Sequence, residues 1–231
     1  MVTKFILIFV LLATMLTGCN LTSPALIPTP IPTEAPTLVF NQPTPVQLAS
    51  PTSAPTIPPS VTPLSPAQTV LERAAEVLGV LKDKDMVTLA QYVHPQMGLR
   101  FSPYAYVKDT DQVFPADKIT GLMADSTIYK WGNYDGSGEP INLTYADYYS
   151  KFVYDVDFAN APQIALNHRL GEGNSIDNSQ EFYPGAMIVE YYFPGFDPQY
   201  GGMDWRSLRL VFMEENNIWY LAGIIHDQWT I

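Results

Sequence analysis

The distribution of proline separates the part of this chain that can fold from the part that cannot. Residues 20–65 contain 12 of the 21 prolines, 13 serines or threonines, and Glu34 as their only charged residue. Because proline fixes φ and has no amide proton to donate, neither a helix nor a sheet can propagate through such a segment. The composition favours a disordered tether of extended polyproline II character, reaching on the order of 140 Å at full extension. The sequence therefore confines the folded domain to residues 66–231.

A short apolar run leads to the only cysteine of the chain. Residues 5–16 form the run, which ends in Leu16-Thr17-Gly18-Cys19. Secretory signals have an apolar stretch of about 7–15 residues, whereas a membrane-spanning helix needs roughly 20. The pattern predicts a lipoprotein signal peptide over residues 1–18 and lipid attachment at Cys19, the first residue of a linker over residues 19–65. An uncleaved anchor or an ordinary signal peptide is the alternative.

Lipid attachment would place the protein at the cell membrane, facing the extracytoplasmic side, with the lipid bilayer as a partner. Exported proteins often contain disulfides, but a chain with one cysteine cannot form an internal one. The folded domain must therefore depend on its hydrophobic core, and it has no thiol to serve as a nucleophile or a metal ligand. We predict no cofactor.

The domain is acidic. The whole chain has a formal net charge of −11, and Lys4 and Glu34, which lie outside residues 66–231, cancel each other. An acidic surface repels the phosphates of nucleic acids and the head groups of anionic lipids. We therefore predict no nucleic-acid partner, although the charge is also explained by solubility alone.

Helical patterns come first in the domain and strand patterns come last. Ser65 and Gln68 form a capping-box pattern. An apolar stripe at helical spacing follows it, formed by Val70, Ala74, Val77, Leu78 and Leu81. Four strand-like runs lie near the C-terminus, at residues 161–169, 185–193, 206–213 and 218–227, with the last two forming an antiparallel hairpin. The order predicts an α+β domain in which N-terminal helices pack on a curved antiparallel sheet.

Strict alternation in the last strand predicts which side chains share a face. One face would carry Trp219, Leu221, Gly223 and Ile225, and the other would carry Tyr220, Ala222, Ile224 and His226. Asp227 would then point away from His226, so these two neighbours would not form a hydrogen-bonded pair.

The element order and several segments resemble known proteins. Helices followed by a strand, a small helix and antiparallel strands resemble the cone-shaped nuclear transport factor 2-like fold, which ketosteroid isomerases and polyketide-cyclase-like proteins share. Val93-His94-Pro95, residues 100–104, residues 195–206 and residues 223–229 resemble a family of uncharacterised bacterial lipoproteins. The resemblance covers residues 66–231 and implies the cone-shaped fold, but it implies no activity, because one fold hosts many functions.

A cone-shaped fold implies a pocket, and proton transfer in it would need a buried acid or histidine. The candidates in this sequence are His94, His168, His226, Asp155 and Asp227. The catalytic alternative relies on His226 or Asp227. Equally, His226 fits a histidine bonded to backbone at a strand end, and His94 fits one that bonds the last carbonyls of a helix.

The segment over residues 192–206 is the candidate ligand-binding loop. It combines aromatic side chains with a few charges, and such loops often bind ligands. Tyr200, Trp205, Arg206 and His226 are the predicted ligand-binding residues. The alternative is a loop that folds back over the sheet and buries its rings.

The remaining motifs do not predict a metal site. Residues 133–139 resemble the start of a calcium loop, but position 12 would be Thr144 where a bidentate glutamate is needed. A polar hairpin or connecting loop explains that segment better. We predict a lipid-anchored binding domain whose partner is a cell-wall glycan or an envelope protein, with a cone-fold isomerase, cyclase or hydrolase, or an accessory to an envelope complex, as alternatives.

Overall fold

The computed structural model describes residues 64–230. The predicted signal peptide over residues 1–18, the predicted lipid attachment at Cys19 and most of the predicted linker lie outside the described residues. No helix within residues 64–230 has the length and apolar character needed to cross a membrane.

Two helices open the domain, and both begin at a side-chain cap. Helix α1 spans Pro66–Lys82, and Ser65 and Gln68 form the predicted capping box. The predicted stripe is buried along α1. Helix α2 spans Met86–Tyr92, and the carboxylate of Asp85 accepts from the amide of Thr88 at 3.0 Å. Local sequence therefore sets where both helices start.

Six strands form the main sheet, and two more form a separate hairpin. In chain order the strands are β1 Leu99–Ser102, β2 Gln112–Phe114, β3 Tyr129–Asn133, β4 Pro140–Leu143, β5 Gln163–Leu166, β6 Met187–Phe193, β7 Arg206–Glu215 and β8 Ile218–Gln228. Three further helices are α3 Ala116–Ile119, α4 Tyr145–Phe152 and α5 Ser179–Phe182. The main sheet has the order β2-β1-β8-β7-β6-β5, and β3 pairs with β4.

The main sheet is mixed, so the prediction of an antiparallel sheet is wrong at one position. β1 pairs with β8 in parallel, and the other neighbours are antiparallel. β1 and β8 lie at opposite ends of the folded sequence, so no short turn forces them to run in opposite directions. The α+β class is confirmed, and strands β1–β4 also lie between the helices rather than after them.

A β-bulge in β8 overturns the predicted alternation of that strand. Val211 pairs with Gly223, but the next residue, Phe212, pairs with Leu221, so Ala222 is an extra residue. One extra residue exchanges the faces of everything that follows it. As a result, Trp219, Leu221 and Ile224 all join the main core, whereas Ala222 and Ile225 join a smaller cluster.

The main core is rich in aromatic side chains from the helices and the sheet. Trp131 stacks on Tyr148 with ring centroids 3.8 Å apart, and Phe101 meets both rings edge to face. Such contacts add to the free energy of burial. Side chains therefore fill the space between the helices and the sheet. The smaller cluster includes Tyr183 and Val211.

Candidate functional site

His226 and Arg206, two of the predicted ligand-binding residues, meet at the end of the β7–β8 hairpin. Arg206 Nε lies 3.0 Å from Asp155 Oδ2, and His226 Nε2 lies 3.3 Å from Asp155 Oδ1. The second contact lies outside hydrogen-bonding geometry, although the two groups are close. Burial raises the pKa of Asp155, but His226 and Arg206 lower it by more, so this pKa falls below its ordinary value. The carboxylate of Asp155 therefore lies between the guanidinium of Arg206 and the imidazole of His226.

His226 has no accessible surface. Its side chain is 0 % exposed, and the ring of Phe152 meets it edge to face with centroids 5.7 Å apart. Neither ring nitrogen makes a hydrogen bond to another described residue. The prediction that His226 binds a ligand directly gains no support from its position, because aromatic packing of the main core encloses the side chain.

Asp227 lies on the opposite face of the sheet, as predicted. Arg209 Nη2 lies 2.5 Å from Asp227 Oδ2, and Arg169 Nη2 lies 2.9 Å from the same oxygen. A further ion pair joins Arg209 Nη1 to Asp177 Oδ2 at 2.6 Å. Burial raises the pKa of Asp227 despite the opposing effect of the two guanidinium groups. This buried ion-pair network, rather than proton transfer to a substrate, accounts for Asp227.

Trp205 also departs from its predicted role. It is 2 % exposed and lies under the loop that contains Gly171 and Gly173. A Cβ atom built on Gly171 would lie 2.7 Å from Trp205 Cζ3, so only glycine lets the backbone approach the indole so closely. The indole is therefore a packing element and offers no face to a ligand.

Tyr200 stays exposed, in a loop that is held by hydrogen bonds of its own. Asp204 Oδ2 accepts from the amides of Phe196 and Asp197 at 3.0 and 2.8 Å. Asp197 Oδ1 accepts from the amide of Gln199 at 2.9 Å. The four predicted ligand-binding residues thus do not form one site: His226 and Arg206 are joined, Trp205 is buried on the other face, and Tyr200 is at the surface.

The other two histidines have separate surroundings. His94 Nδ1 accepts from the amides of Gln96 and Met97 at 3.2 and 3.1 Å, so it closes a turn instead of bonding helix carbonyls. Its Nε2 lies 3.6 Å from Glu215. His168 is exposed.

A cleft that the sequence did not predict lies beside β3. Its volume is about 370 Å³, and it is bordered by the segment after β1, by β3 and by the loop at residues 174–176. Three aromatic residues and several polar ones share its walls. They include Tyr104, Tyr106, Trp131, Lys108, Asp111, Asn133, Asp135 and Asn174.

A second cleft, of about 320 Å³, shares Tyr104 and Asp135 with the first. The hydroxyl of Tyr104 accepts from the amide of Asp135 at 3.4 Å. Tyr134, Lys151, Gln228 and Trp229 also line this second cleft. We name the two clefts together the aromatic groove, after its six rings: Tyr104, Tyr106, Trp131, Tyr134, Phe152 and Trp229.

The segment that resembles a calcium loop forms part of the aromatic groove. The amide of Tyr134 donates to the carbonyl oxygen of Glu139 at 2.8 Å across the β3–β4 turn, so the polar-hairpin interpretation is confirmed. Within residues 64–230, no three His, Cys, Asp or Glu side chains come together as metal ligands.

Asp111 is the most deeply buried charged residue in the walls of the first cleft. It is 6 % exposed, and its Oδ2 accepts from the hydroxyl of Ser102 at 2.6 Å and from the amide of Lys108 at 2.9 Å. Oδ1 makes no hydrogen bond to another described residue. Burial raises the pKa of Asp111, although the bonds from Ser102 and Lys108 and the charge of Arg100 act to lower it. The carboxylate is therefore oriented through Oδ2, and Oδ1 is left for a donor from outside the described residues.

Sequence reasoning missed this residue for a physical reason. Ser102, Lys108 and Asp111 come from a bent segment between β1 and β2, and Trp131 comes from the separate hairpin. No spacing in that segment distinguishes Asp111 from the neighbouring acid Asp109. The α+β domain with an aromatic groove shows no match to any family model, curated protein or solved structure with which it was compared.

Proposed function

We propose that this protein is an extracytoplasmic lipoprotein, anchored at Cys19, whose domain binds a cell-wall glycan in the aromatic groove. The observation that carries the proposal is the groove itself, in which exposed ring faces lie among amide and carboxylate groups. Ligand sites are concave and mostly apolar, with a few polar groups that fix orientation. The signal-like N-terminus supplies the location, where glycans are abundant.

The exposed rings suit stacking on sugar faces. Tyr106 is 49 % exposed and Trp229 is 37 % exposed, so each presents a flat apolar surface to solvent. Asn133 and Asn174 line the same groove as Tyr106, and Gln228 lies beside Trp229. Amide groups can donate and accept hydrogen bonds at once, as sugar hydroxyls require.

We further propose that the domain has the cone-shaped, nuclear transport factor 2-like fold. Its support is the set of helices on one face of a sheet whose β6, β7 and β8 are consecutive antiparallel neighbours. An enzyme that relies on His226 or Asp227 has less support, because both side chains are enclosed. An envelope protein remains the alternative partner for the groove.

The test is glycan binding by the full chain purified in detergent. We expect Tyr106→Ala and Trp229→Ala each to weaken binding by about tenfold or more, since aromatic contacts and ring burial contribute at this level. Phe196→Ala is the matched control, because Phe196 is an exposed aromatic outside the groove. If Phe196→Ala weakens binding and the groove variants do not, the loop over residues 192–206 is the site and the proposal fails.

The anchor needs its own test. Intact mass measurement of the chain isolated from its native membrane should show cleavage before Cys19 and acyl chains on that residue. Two or more acyl chains give stable attachment, whereas one gives only marginal binding. An unmodified thiol with the leader still present would overturn the proposed anchor without affecting the groove.

A further inference from the structure

We propose that the glycan recognised by the aromatic groove carries an ammonium group, and that the carboxylate of Asp111 is the residue that selects it. The inference rests on the proposed function and names the chemistry of its ligand. Its basis is a buried carboxylate in the wall of an aromatic cleft with one oxygen unused.

Asp111 is held in place without being neutralised. Ser102 and the amide of Lys108 both donate to Oδ2, which fixes the plane of the carboxylate and leaves Oδ1 without a donor. Both of these donors are neutral, and the positive charges of Arg100 and Lys108 lower the pKa of Asp111 by less than burial raises it. Oδ1 is not among the buried atoms that lack a hydrogen bond, so it is open to a donor from a ligand, and a hydrogen bond to a carboxylate is stronger in such a partly desolvated cleft than in water.

The nearest guanidinium does not fill this role. Arg100 Nη1 donates to the carbonyl oxygens of Lys108, Asp109 and Asp111 at 2.9, 3.3 and 3.2 Å. These bonds hold the turn around Asp111 and direct Arg100 to backbone oxygens instead of the carboxylate. The side chain of Lys108 is at the exposed rim of the cleft.

The rest of the cleft favours a cation too. Tyr104 and Tyr106 offer partly exposed rings in the walls that they share with Asp111, whereas Trp131 borders the cleft from the core and is itself 0 % exposed. The faces of aromatic rings attract ammonium groups, and that attraction strengthens when the cation is desolvated. Asp135 adds a second carboxylate at the exposed rim. A neutral sugar would use the rings, the amides and neutral hydrogen bonds from its hydroxyl groups, whereas an amino sugar would add an ion pair with the carboxylate.

The experiment compares two tetrasaccharides with the same β-1,4 linkage. One is the tetramer of glucosamine and the other is the tetramer of glucose, so the ligands differ only in having an ammonium or a hydroxyl group on each ring. At about pH 6, below the pKa of an ordinary aliphatic amine, the full chain should bind the amino form about tenfold or more tightly, as expected for a charged hydrogen bond. Asp111→Asn keeps the shape and removes the charge, and it should reduce the ratio of the two dissociation constants to about one.

Asp135→Asn is the matched control, because it makes the same change of charge at the exposed rim. It should alter the ratio by less than about twofold, since exposed charges interact weakly. An equal effect of Asp135→Asn and Asp111→Asn would overturn the role of Asp111 and indicate a general charge effect. Equal binding of both tetramers by the unmodified chain would overturn the inference while leaving the proposed function intact.

Two further results distinguish a failure of the proposed function from a failure of the inference about Asp111. If the chain binds neither tetramer, and binding to wall glycans is also absent, the proposed function fails. If Asp111→Asn does not fold, the carboxyl carbon of Asp111 can be followed by NMR in the unmodified chain. That resonance should shift on adding the glucosamine tetramer and stay in place with the glucose tetramer, and the reverse result would refute the inference.

Discussion

Replacing Trp205 with alanine should lower the free energy of unfolding by about 3 to 5 kcal/mol, the usual cost of deleting a buried tryptophan. The side chain is 2 % exposed, and its ring centroid lies 5.9 Å from that of Tyr192. Its Nε1 has no hydrogen-bond partner among the described residues, so the cost comes from lost packing alone. Ligand binding in the aromatic groove should be unchanged, because Trp205 does not line it.

The contact with Gly171 makes the reasoning testable as a double-mutant cycle. The new Cβ in Gly171→Ala would lie 2.7 Å from Trp205 Cζ3, and overpacking of this kind costs about 1–3 kcal/mol. The φ of Gly171 is not positive, so alanine is free of backbone strain there. In the Trp205→Ala background the clash disappears, and the two changes should be coupled by about 1–3 kcal/mol.

Urea unfolding of the full chain, followed by circular dichroism, measures these free energies without depending on tryptophan fluorescence. Tyr200→Ala is the control, because this exposed side chain should change stability by less than about 0.5 kcal/mol. The packing argument fails if Trp205→Ala costs less than about 1 kcal/mol. It also fails if Gly171→Ala costs the same in both backgrounds.

Three further predictions follow from local geometry. The pKa of Asp155 in the folded state is lower than its unfolded value near 3.8, so its carboxylate stabilises the fold above that value. Urea unfolding should therefore show the unmodified chain and Asp155→Asn becoming closer in stability as the pH falls through the folded-state pKa. Gly223→Ala would place a Cβ 2.9 Å from the hydroxyl of Tyr183, which should lower the thermal midpoint through a cost of about 1–3 kcal/mol. Ser65→Ala removes the cap of α1 and should cost about 1 kcal/mol, whereas an unchanged urea midpoint would show that the cap contributes nothing.

Features set by neighbouring residues could be predicted from the sequence. The start of α1 was found because Ser65 and Gln68 are three residues apart and satisfy each other's backbone donors. The β7–β8 hairpin was found because a polar turn separates two strand patterns. In each case the physical cause lies within a few residues, so the sequence displays it directly.

Features set by distant residues could not be predicted. The burial of Trp205 depends on Gly171, which lies far away along the chain and matters only because its missing Cβ leaves room. The bulge at Ala222 depends on how β8 pairs with β7, and β8 alone shows an uninterrupted pattern. Asp111 lines the first cleft only because the β3–β4 hairpin, which contributes Trp131, forms the opposite part of its wall. The burial of Trp205, the bulge at Ala222 and the position of Asp111 therefore all depend on contacts between residues that are distant in the sequence.

The bulge at Ala222 acts as a phase shift in β8. Because of it, His226 lies against Phe152 in the aromatic interior, while Asp227 reaches Arg209 on the other side. A regular β8 with the same residues, paired from the turn without the bulge, would reverse this parity, sending the imidazole to the arginines and the carboxylate into the aromatic rings. Deleting Ala222 itself should therefore leave both faces unchanged, because Leu221 would still lie opposite Phe212 and Gly223 opposite Val211.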